Sequence, residues 1–444
     1  MQKNIAITGA GLVGSLLAIY LRKRGYNVSV LERRRDVRQA LNDEGRSINL
    51  ALSSRGIRAL EEVGLASEVK KITIPMHGRM IHALDGSLTF QPYGKQGQFI
   101  NSISRAALNR LLIATAESEG VKFHFEHRVT NVDLLTTSLT VEANGTSSIL
   151  KYDAIVGADG AFSAVRHAMQ FTDRYDFSQD FIEHGYKELQ IPPRKNGGFN
   201  LDKDALHIWP RESFMFIALP NPDGSFTCTL FFPFEGELSF SSLDSDESII
   251  NLVNKNFPDA LKLMPDLIDD FKSNTTSSLV TVKCYPWVRH KSLLIGDAAH
   301  AIVPFYGQGM NAGFEDCRIL NGLLNKQEDD WEKAVIVFQQ ERKADTDAIA
   351  QLALDNFIEM RDLVADADFL LRKKIEAKLH ELFPDQWIPL YSMVTFHDEI
   401  RYSEALRIGR KQKTIMDEVM QLPEIKSTWE DLDFEQLVRR LRVT

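Results

Sequence analysis

Cysteine is scarce in this chain: its 444 residues include three, Cys228, Cys284 and Cys317. Their separations fit neither a CxxC metal site nor a redox pair, so we expect buried free thiols and no metal centre. Long apolar runs are missing as well. The longest ones span about six residues, such as Leu16–Leu21, whereas a membrane-spanning helix needs roughly 20. The sequence therefore predicts no membrane span.

An excess of positive charge is also absent. Lys and Arg number 52 against 61 Asp and Glu, which gives a formal charge of −9. Because a basic field is what holds a phosphate backbone, we expect no nucleic-acid partner. The composition, 44% hydrophobic and 25% charged, is typical of a globular protein. The chain starts directly with a strand and a glycine turn rather than with a signal peptide, which favours the cytoplasm.

The first thirty residues predict a β-α-β unit. Asn4–Thr8 and Asn27–Leu31 have the composition of strands, and Leu12–Arg24 has helical apolar periodicity before Gly25. The turn between the first strand and the helix has GxGxxG spacing, in which the first glycine permits the turn, the second admits a pyrophosphate and the third lets the helix pack on the strand. The predicted cradle consists of Gly9, Gly11, Val13 and Gly14.

The residue after the second strand is Glu32, whose carboxylate is placed to accept both hydroxyls of a ribose. The helix N-terminus adds N–H groups and a partial positive charge for the pyrophosphate. Together these features predict dinucleotide binding. FAD, NAD and NADP remain alternatives at this point, because Glu32 would repel a 2′-phosphate whereas Arg33, Arg34 or Arg35 would attract one.

The later pattern predicts a second, β-rich region and a helical end. Residues 121–153 alternate between apolar and polar side chains around an Asn144-Gly145 turn, and residues 205–234 alternate around a turn at residues 221–224. From about Trp331 onward the pattern is helical. The final segment, 434–444, reads as a short amphipathic helix, which we expect to pack on the protein rather than on a membrane.

Two further motifs follow the glycine turn in order. A strand closes on Asp159-Gly160, and a second closes on Gly296-Asp297 before the glycine-rich segment 307–313. These resemble the DG and GD motifs of the single-component flavin-dependent aromatic hydroxylases. The resemblance implies FAD, with Asp297 on its ribityl chain and Asp159 in a region shared by flavin and nicotinamide. A helix starting near residues 308–310 would face the flavin, and His300 is interpreted as structural.

Four segments resemble the kynurenine 3-monooxygenase family specifically, and the likeness extends from residue 1 to about residue 400. The segments are Arg46–Gly56, Gly78–His82 with Phe90–Tyr93, Leu354–Arg361, and Tyr391–Phe396. The residues that this resemblance implies for the amino-acid end of the substrate are Arg79, Tyr93, Asn356 and Tyr391. The further residues that it implies for FAD are Glu32, Arg33, Ala51, Arg105, Met310 and Asn311.

The resemblance implies an α/β fold: a Rossmann-like FAD-binding domain interrupted by a mostly antiparallel β substrate domain, with a C-terminal helical region. The expected ranges are 1–180 with 286–325, then 181–285, then 326–444 covering the substrate pocket.

The implied reaction is hydroxylation of L-kynurenine to 3-hydroxykynurenine with NADPH and O2, through a flavin C4a-hydroperoxide. NADPH is expected to bind transiently, because no second GxGxxG follows, and the protein to be a monomer or a homodimer. No catalytic acid or base is identified. The alternatives are a related hydroxylase of another aromatic acid, a noncatalytic FAD-binding protein and an NAD-dependent dehydrogenase.

Overall fold

The computed structural model describes residues 3–39, 49–94, 97–360 and 366–442. Of the segments that carry the resemblance, residues 46–48 and Arg361 lie outside these ranges. The strands are β1 (Asn4–Thr8), β2 (Asn27–Leu31), β3 (Asn49–Leu52), β4 (Thr73–Met76), β5 (Gly78–His82), β6 (Leu88–Pro92), β7 (Ile100–Ser104), β8 (Lys122–His124), β9 (Arg128–Asp133), β10 (Ser138–Ala143), β11 (Thr146–Lys151), β12 (Ala154–Gly157), β13 (Asp176–Ile191), β14 (Ala205–Arg211), β15 (Phe214–Pro220), β16 (Phe226–Pro233), β17 (Ser277–Tyr285), β18 (Val288–Arg289) and β19 (Ser292–Leu294). The helices are α1 (Leu12–Lys23), α2 (Ser54–Glu62), α3 (Ala66–Lys71), α4 (Arg105–Ser118), α5 (Ala164–Gln170), α6 (Asp246–Asn256), α7 (Pro258–Leu261), α8 (Leu267–Ser273), α9 (Asp297–His300), α10 (Gly309–Lys326), α11 (Trp331–Ile358), α12 (Ala367–Leu382), α13 (Leu390–Thr395), α14 (Tyr402–Val419), α15 (Ile425–Thr428) and α16 (Phe434–Arg442).

The first sheet is the nucleotide-binding one, with strand order β18-β19-β12-β1-β2-β8. Its pairs are parallel except for β18 with β19. The predicted β-α-β unit is confirmed: both strands have the predicted bounds, and α1 ends one residue before the predicted Arg24. Gly25 follows with φ +88°, the left-handed conformation that ends many helices at a glycine.

The second large sheet has the order β17-β13-β16-β15-β14-β5-β6 and is antiparallel except between β14 and β5. The predicted mixture of a Rossmann-like sheet and a mostly antiparallel sheet is confirmed. Strands β5 and β6 come from residues 78–92, which the sequence analysis placed in the first domain. The chain therefore contributes to this sheet from two separate stretches.

The side chains of β15 alternate between the two faces of the second sheet, and each face packs against a different set of helices. Phe214 and Phe216 pack among the apolar residues of α6, α7 and α8, whereas Met215 packs on the side of α11, α13 and α14. Successive side chains of a strand point to opposite faces. The strand β15 therefore contributes both to the core with α6, α7 and α8 and to the opposite face of the sheet. Met215 and Ile217 line a cavity on that second side.

The C-terminal helices form a core of their own. In α16, Leu437 and Val438 are buried and pack with residues of α12 and α14. The terminal helix therefore packs on the protein, as expected from its amphipathic pattern. Cys228, Cys284 and Cys317 are buried free thiols, also as expected. Within the described ranges, no helix is both long and apolar enough to cross a bilayer.

Candidate active site

A cavity of about 600 Å³ connects the glycine turn to the second sheet. It is lined at one end by the β1–α1 turn and the end of β2, and at the other by β5, β14, β15 and α13. Of the predicted site residues, thirteen line this cavity: Gly9, Gly11, Val13, Glu32, Arg33, Ala51, Arg79, Tyr93, Arg105, Asp159, Asp297, Met310 and Tyr391. Gly14, Asn311 and Asn356 do not.

The three glycines of the turn differ in what surrounds them. Gly9 has φ +96°, and a Cβ on it would lie 2.6 Å from the carbonyl oxygen of Ala158. A Cβ on Gly14 would lie 2.1 Å from the carbonyl oxygen of Gly9, so this glycine permits α1 to pack on the first strand. A Cβ on Gly11 would meet no described atom within 4 Å. The fold itself requires Gly9 and Gly14, whereas Gly11 leaves room at the cavity wall for a ligand to approach the backbone.

Glu32 is buried at the end of β2, and both its carboxylate oxygens are engaged. Oε2 accepts a bond of 2.9 Å from the Ala10 N–H, and Oε1 accepts bonds from the Arg34 N–H and Nε. Burial alone would raise the pKa of Glu32, but the hydrogen bonds and charge of Arg34 outweigh it and hold the pKa below its usual value. Glu32 is therefore ionised and faces the cavity as an acceptor.

The two later motifs place their aspartates on the same cavity. Asp159 accepts from the Ala164 N–H through Oδ2 at 2.8 Å, while its buried Oδ1 has no partner among the described residues. Burial raises the pKa of Asp159. Asp297 is the first residue of α9 and is exposed toward the cavity. His300 is buried and lies 2.6 Å from Asp316 through Nε2, which agrees with a structural role.

Helices α1 and α10 both begin at the cavity without a side-chain cap. The N-cap residue of α1 is Gly11, which has no side chain to accept a hydrogen bond, and the side chain of Gln308, the N-cap residue of α10, accepts none from its helix. The first N–H groups of a helix have no partner within it, and they carry a partial positive charge. Two such termini on one cavity provide separate places for negatively charged groups of a ligand.

Asn311 sits in the first turn of α10 but uses its amide on the protein backbone. Its Oδ1 accepts from the Ser53 N–H at 3.0 Å, and its Nδ2 donates to the carbonyls of Ala51 and Gly307, each at 2.8 Å. Asn311 thus ties the start of α2 to the start of α10. Its predicted contact with FAD stays a prediction.

These features fit FAD. The open space at Gly11 and the N-terminus of α1 suit a pyrophosphate, Glu32 suits a ribose, and the unpaired oxygen of Asp159 provides a buried acceptor beside the same path. Arg33 and Arg105 are exposed side chains on the cavity wall, and Met310 lies at the start of α10. An isoalloxazine ring would extend toward the second sheet, where the cavity wall becomes apolar and aromatic.

At that end, an arginine lies against a stack of three tyrosines. Tyr391 stacks between Tyr93 and Tyr306, with 5.5 Å between the ring centroids of each pair. The Arg79 guanidinium lies 4.8 Å from the Tyr391 ring centroid and 5.6 Å from that of Tyr93. The four residues come from β5, from the loop after β6, from a 3₁₀ turn at residues 304–306 and from α13.

Two polar atoms of this cluster are buried without a hydrogen-bond partner in the described chain: Nε of Arg79 and the hydroxyl oxygen of Tyr93. Burial favours the neutral form of Arg79, but Tyr391, Tyr93 and Glu359 outweigh it and raise the pKa of its guanidinium. The same burial raises the pKa of Tyr93 and Tyr391. The cluster therefore presents one cation and neutral hydroxyls to a ligand, a set suited to a carboxylate.

Asn356 is buried in α11 but does not line the cavity. Its Nδ2 donates to the carbonyl of Phe305 at 2.7 Å and lies 3.2 Å from the sulfur of Met360. Both neighbours line the cavity, so Asn356 orders the wall behind them. Its predicted direct contact with substrate stays a prediction.

Sequence reasoning missed Tyr306 and treated Arg34 only as a candidate for a 2′-phosphate. Tyr306 completes the stack, and its position beside Gly307, in the segment after the GD motif, was a signal that it lies at the site. Arg34 instead pairs with Glu32 across 3.0 Å. Thr229 and Tyr186 also line this end. The other residues there are apolar: Leu206, Met215, Ile217, Leu219, Ile302, Phe305, Phe231 and Met360.

Comparison with known proteins gives a consistent result. A family model described as FAD binding domain matches residues 2–336. A kynurenine 3-monooxygenase of Flavobacterium johnsoniae is 51% identical over 99% of this chain and 98% of its own length. One of Myxococcus xanthus is 47% identical over 99% of this chain and 95% of its own, and one of Dictyostelium discoideum is 47% identical over 95% and 94%.

Solved structures show the same fold at lower identity. The tetrameric form of 2-methyl-3-hydroxypyridine-5-carboxylic acid oxygenase superposes with a TM-score of 0.67 at 21% identity, over 84% of this chain and 95% of that one. PqsL of P. aeruginosa, in complex with 2-aminobenzoylacetate, superposes with a TM-score of 0.66 at 21% identity, over 82% and 97%.

Proposed function

The chain belongs to the FAD-binding domain family and, within it, to the kynurenine 3-monooxygenases, and from this membership we propose that it hydroxylates L-kynurenine to 3-hydroxykynurenine with NADPH and O2. It is a flavin-dependent monooxygenase, with FAD as its cofactor. The proposal concerns the substrate, the co-substrates and the residues that hold them.

One observation carries the proposal: the cation of Arg79 and the unpaired hydroxyl of Tyr93 lie at the apolar end of a cavity whose other end is a dinucleotide cradle. An amino-acid carboxylate would satisfy both groups. The aromatic and aliphatic walls around them would receive the aniline ring of kynurenine.

The protein's part in the reaction is to bind, orient and exclude water. Arg79 would take the substrate carboxylate in two parallel hydrogen bonds, since its planar guanidinium matches a carboxylate. Tyr93 would donate a further bond from its neutral hydroxyl. Bound FAD would supply the redox chemistry, accepting electrons from NADPH and activating O2 for transfer to the ring. The apolar walls at Met215 and Phe231 would keep water from the reacting ring.

Purified protein with its flavin provides the test. NADPH oxidation should accelerate on addition of L-kynurenine, and 3-hydroxykynurenine should accumulate. The control is an aromatic acid without the amino-acid end, such as benzoate, which should stimulate less because it lacks the kynurenine side chain. Stimulation by benzoate alone would favour a hydroxylase of another aromatic acid. A flavin-bound protein that oxidises no NADPH with any of these would contradict the proposal.

A further inference from the structure

Arg55, in the first turn of α2, is a fully enclosed cation that does not line the cavity. It is 1% exposed. Its guanidinium makes hydrogen bonds on every side: Nη1 donates to Glu315 Oε1 at 2.7 Å, and Nε and Nη2 donate to three backbone carbonyls beyond α13 or at its end. The face of the guanidinium lies 4.0 Å from the centroid of the Tyr402 ring.

The three carbonyls belong to the segment that carries Tyr391. Arg55 Nε donates to Val394 O at 3.0 Å, and Nη2 donates to His397 O at 3.1 Å and to Ile400 O. Helix α13 has six residues, too few for stability by themselves. The last carbonyls of a helix have no partner within it, so an external donor decides where this end lies.

Helix α2 supplies two more contacts to the same segment. The Ser54 hydroxyl donates to Thr395 O at 2.9 Å, and Arg58 pairs with Asp398. At the same N-terminal end of α2, the N-cap residue Ser53 donates its N–H to Asn311 Oδ1. One helix therefore connects the wall of the cofactor path with the segment that presents Tyr391 to Arg79.

We propose that Arg55 is a positioning residue, which holds α13 so that the Tyr391 ring lies against the Arg79 guanidinium and thereby sets the affinity for substrate. The part that concerns kynurenine rests on the proposed function. The part that concerns the placement of α13 does not, since it follows from the hydrogen bonds alone.

The variant Arg55→Lys keeps the positive charge of residue 55 but removes the hydrogen bonds that hold α13, so it tests the two contributions separately. Lysine keeps the positive charge for Glu315, which also pairs with Arg342 at 2.9 Å, so the buried carboxylate stays compensated. A single ammonium cannot reach three carbonyls and a carboxylate in the geometry of the planar guanidinium. Arg372→Lys is the matched control, because Arg372 also binds carboxylates and a backbone carbonyl, and its partners among the described residues belong to α12 and α14.

Two measurements test the proposal. In flavin-replete Arg55→Lys, hydrogen exchange over residues 390–396 should accelerate about tenfold, as expected for the loss of one or two hydrogen bonds, while α10 exchanges as in the wild type. The Kd for L-kynurenine should rise about tenfold, and flavin content should not change. Arg372→Lys should leave both the exchange over residues 390–396 and the Kd unchanged.

A double-mutant cycle shows whether Arg55 acts through Tyr391. In a Tyr391→Ala background, Arg55→Lys should change the Kd less than twofold further, because the ring that it positions is gone. Independent, multiplying effects would overturn the proposal, as would wild-type exchange over residues 390–396 or wild-type affinity in Arg55→Lys.

If the wild type binds no kynurenine, the proposed function fails and the exchange measurement alone decides the inference. If Arg55→Lys is insoluble, Ser54→Ala must accelerate the same exchange, and an unchanged rate would overturn the proposal.

Discussion

At the glycine turn, some glycines are required for the fold, whereas another leaves room for a ligand. Gly11 is the only one of the three turn glycines around which a Cβ meets no described atom within 4 Å, whereas a Cβ on Gly14 would overlap the Gly9 carbonyl. We expect Gly11→Ala to leave the apoprotein folded but to weaken FAD binding, and Gly14→Ala to reduce folded yield. Circular dichroism reports the fold, and flavin absorbance after gel filtration reports FAD. Full flavin retention in Gly11→Ala would contradict this role.

At the residue scale, the largest loss of substrate affinity is expected from substitution of Arg79. Arg79→Leu would leave a buried substrate carboxylate without its counter-charge, which costs about 3–5 kcal/mol. Affinity for kynurenine should then fall roughly 10²- to 10³-fold. Arg79→Lys keeps the charge but loses the planar fork, so its loss should be smaller yet clear.

Flavin content serves as the internal control for both variants, because Arg79 belongs to the substrate end of the cavity. Kynurenine-stimulated NADPH oxidation should fall together with affinity. Titration with kynurenine measures the change. Wild-type affinity in flavin-replete Arg79→Leu would remove the main support for an amino-acid carboxylate at this position.

At the scale of elements, a chain of hydrogen bonds joins β5 and β14 beneath the substrate end. His82 Nδ1 lies 2.7 Å from Asp259 Oδ2, His82 Nε2 lies 2.8 Å from His207 Nδ1, and His207 Nε2 lies 2.8 Å from Asp202 O. Both ends of this chain are acceptors. The Asp202 carbonyl can only accept, so Nε2 of His207 carries a proton, and neutral His207 keeps its Nδ1 as an acceptor toward His82.

The burial of His207 within this chain predicts acid sensitivity. Burial lowers the pKa of His207 to about 4, against about 6.5 in the unfolded chain. The unfolded state binds the proton first as the pH falls, so the stability contributed by neutral His207 is complete above about pH 6.5 and is lost toward pH 4. At about 1.36 kcal/mol per pKa unit, the loss approaches roughly 3 kcal/mol.

His207→Asn should therefore be less stable than the wild type at pH 7, and the gap should narrow as the pH falls from 6.5 to 4. Urea midpoints across this range measure it. The same substitution at exposed His77, just before β5, controls for effects common to histidine replacement. A gap that is constant or widens toward pH 4 would show that His207 is not the responsible group.

Helix boundaries followed from local signals. Ser104 caps α4 by accepting from the Ala107 N–H, and Asn144-Gly145 forms the turn between β10 and β11 with positive φ at both residues. Strand partners did not follow from such signals, because pairing β5 with β14 joins residues more than 120 positions apart. Alternation of apolar and polar residues indicates that a strand has two different faces, but it does not indicate which strand pairs with it.

For the molecule as a whole, the terminal helix α16 completes the C-terminal core. Leu437 is 7% exposed and packs with Met416 and Val419 of α14. Leu437→Ala should lower the free energy of unfolding by about 2 kcal/mol, the lower end for a buried leucine, because the site lies near the surface. Thermal and urea midpoints should fall while flavin content is retained. Gln436→Ala, on the exposed side of the same helix, should leave both midpoints unchanged.

The sequence by itself determined the local chemistry of this protein. Glycine spacing, an acid after the second strand and the order of the DG and GD motifs are all properties of short segments, and each fixes backbone geometry within a few residues. This is why β1, α1 and β2 lie where the pattern placed them.

Only the tertiary structure decided how distant segments meet. Arg79, Tyr93, Tyr306 and Tyr391 span more than 300 positions and are brought together by sheet register and helix packing, which no local pattern encodes. The same applies to Asn356, whose amide hydrogen-bonds a backbone carbonyl from another element. The type of a side chain determines which bonds it can form, but the fold determines which partner lies within bonding distance.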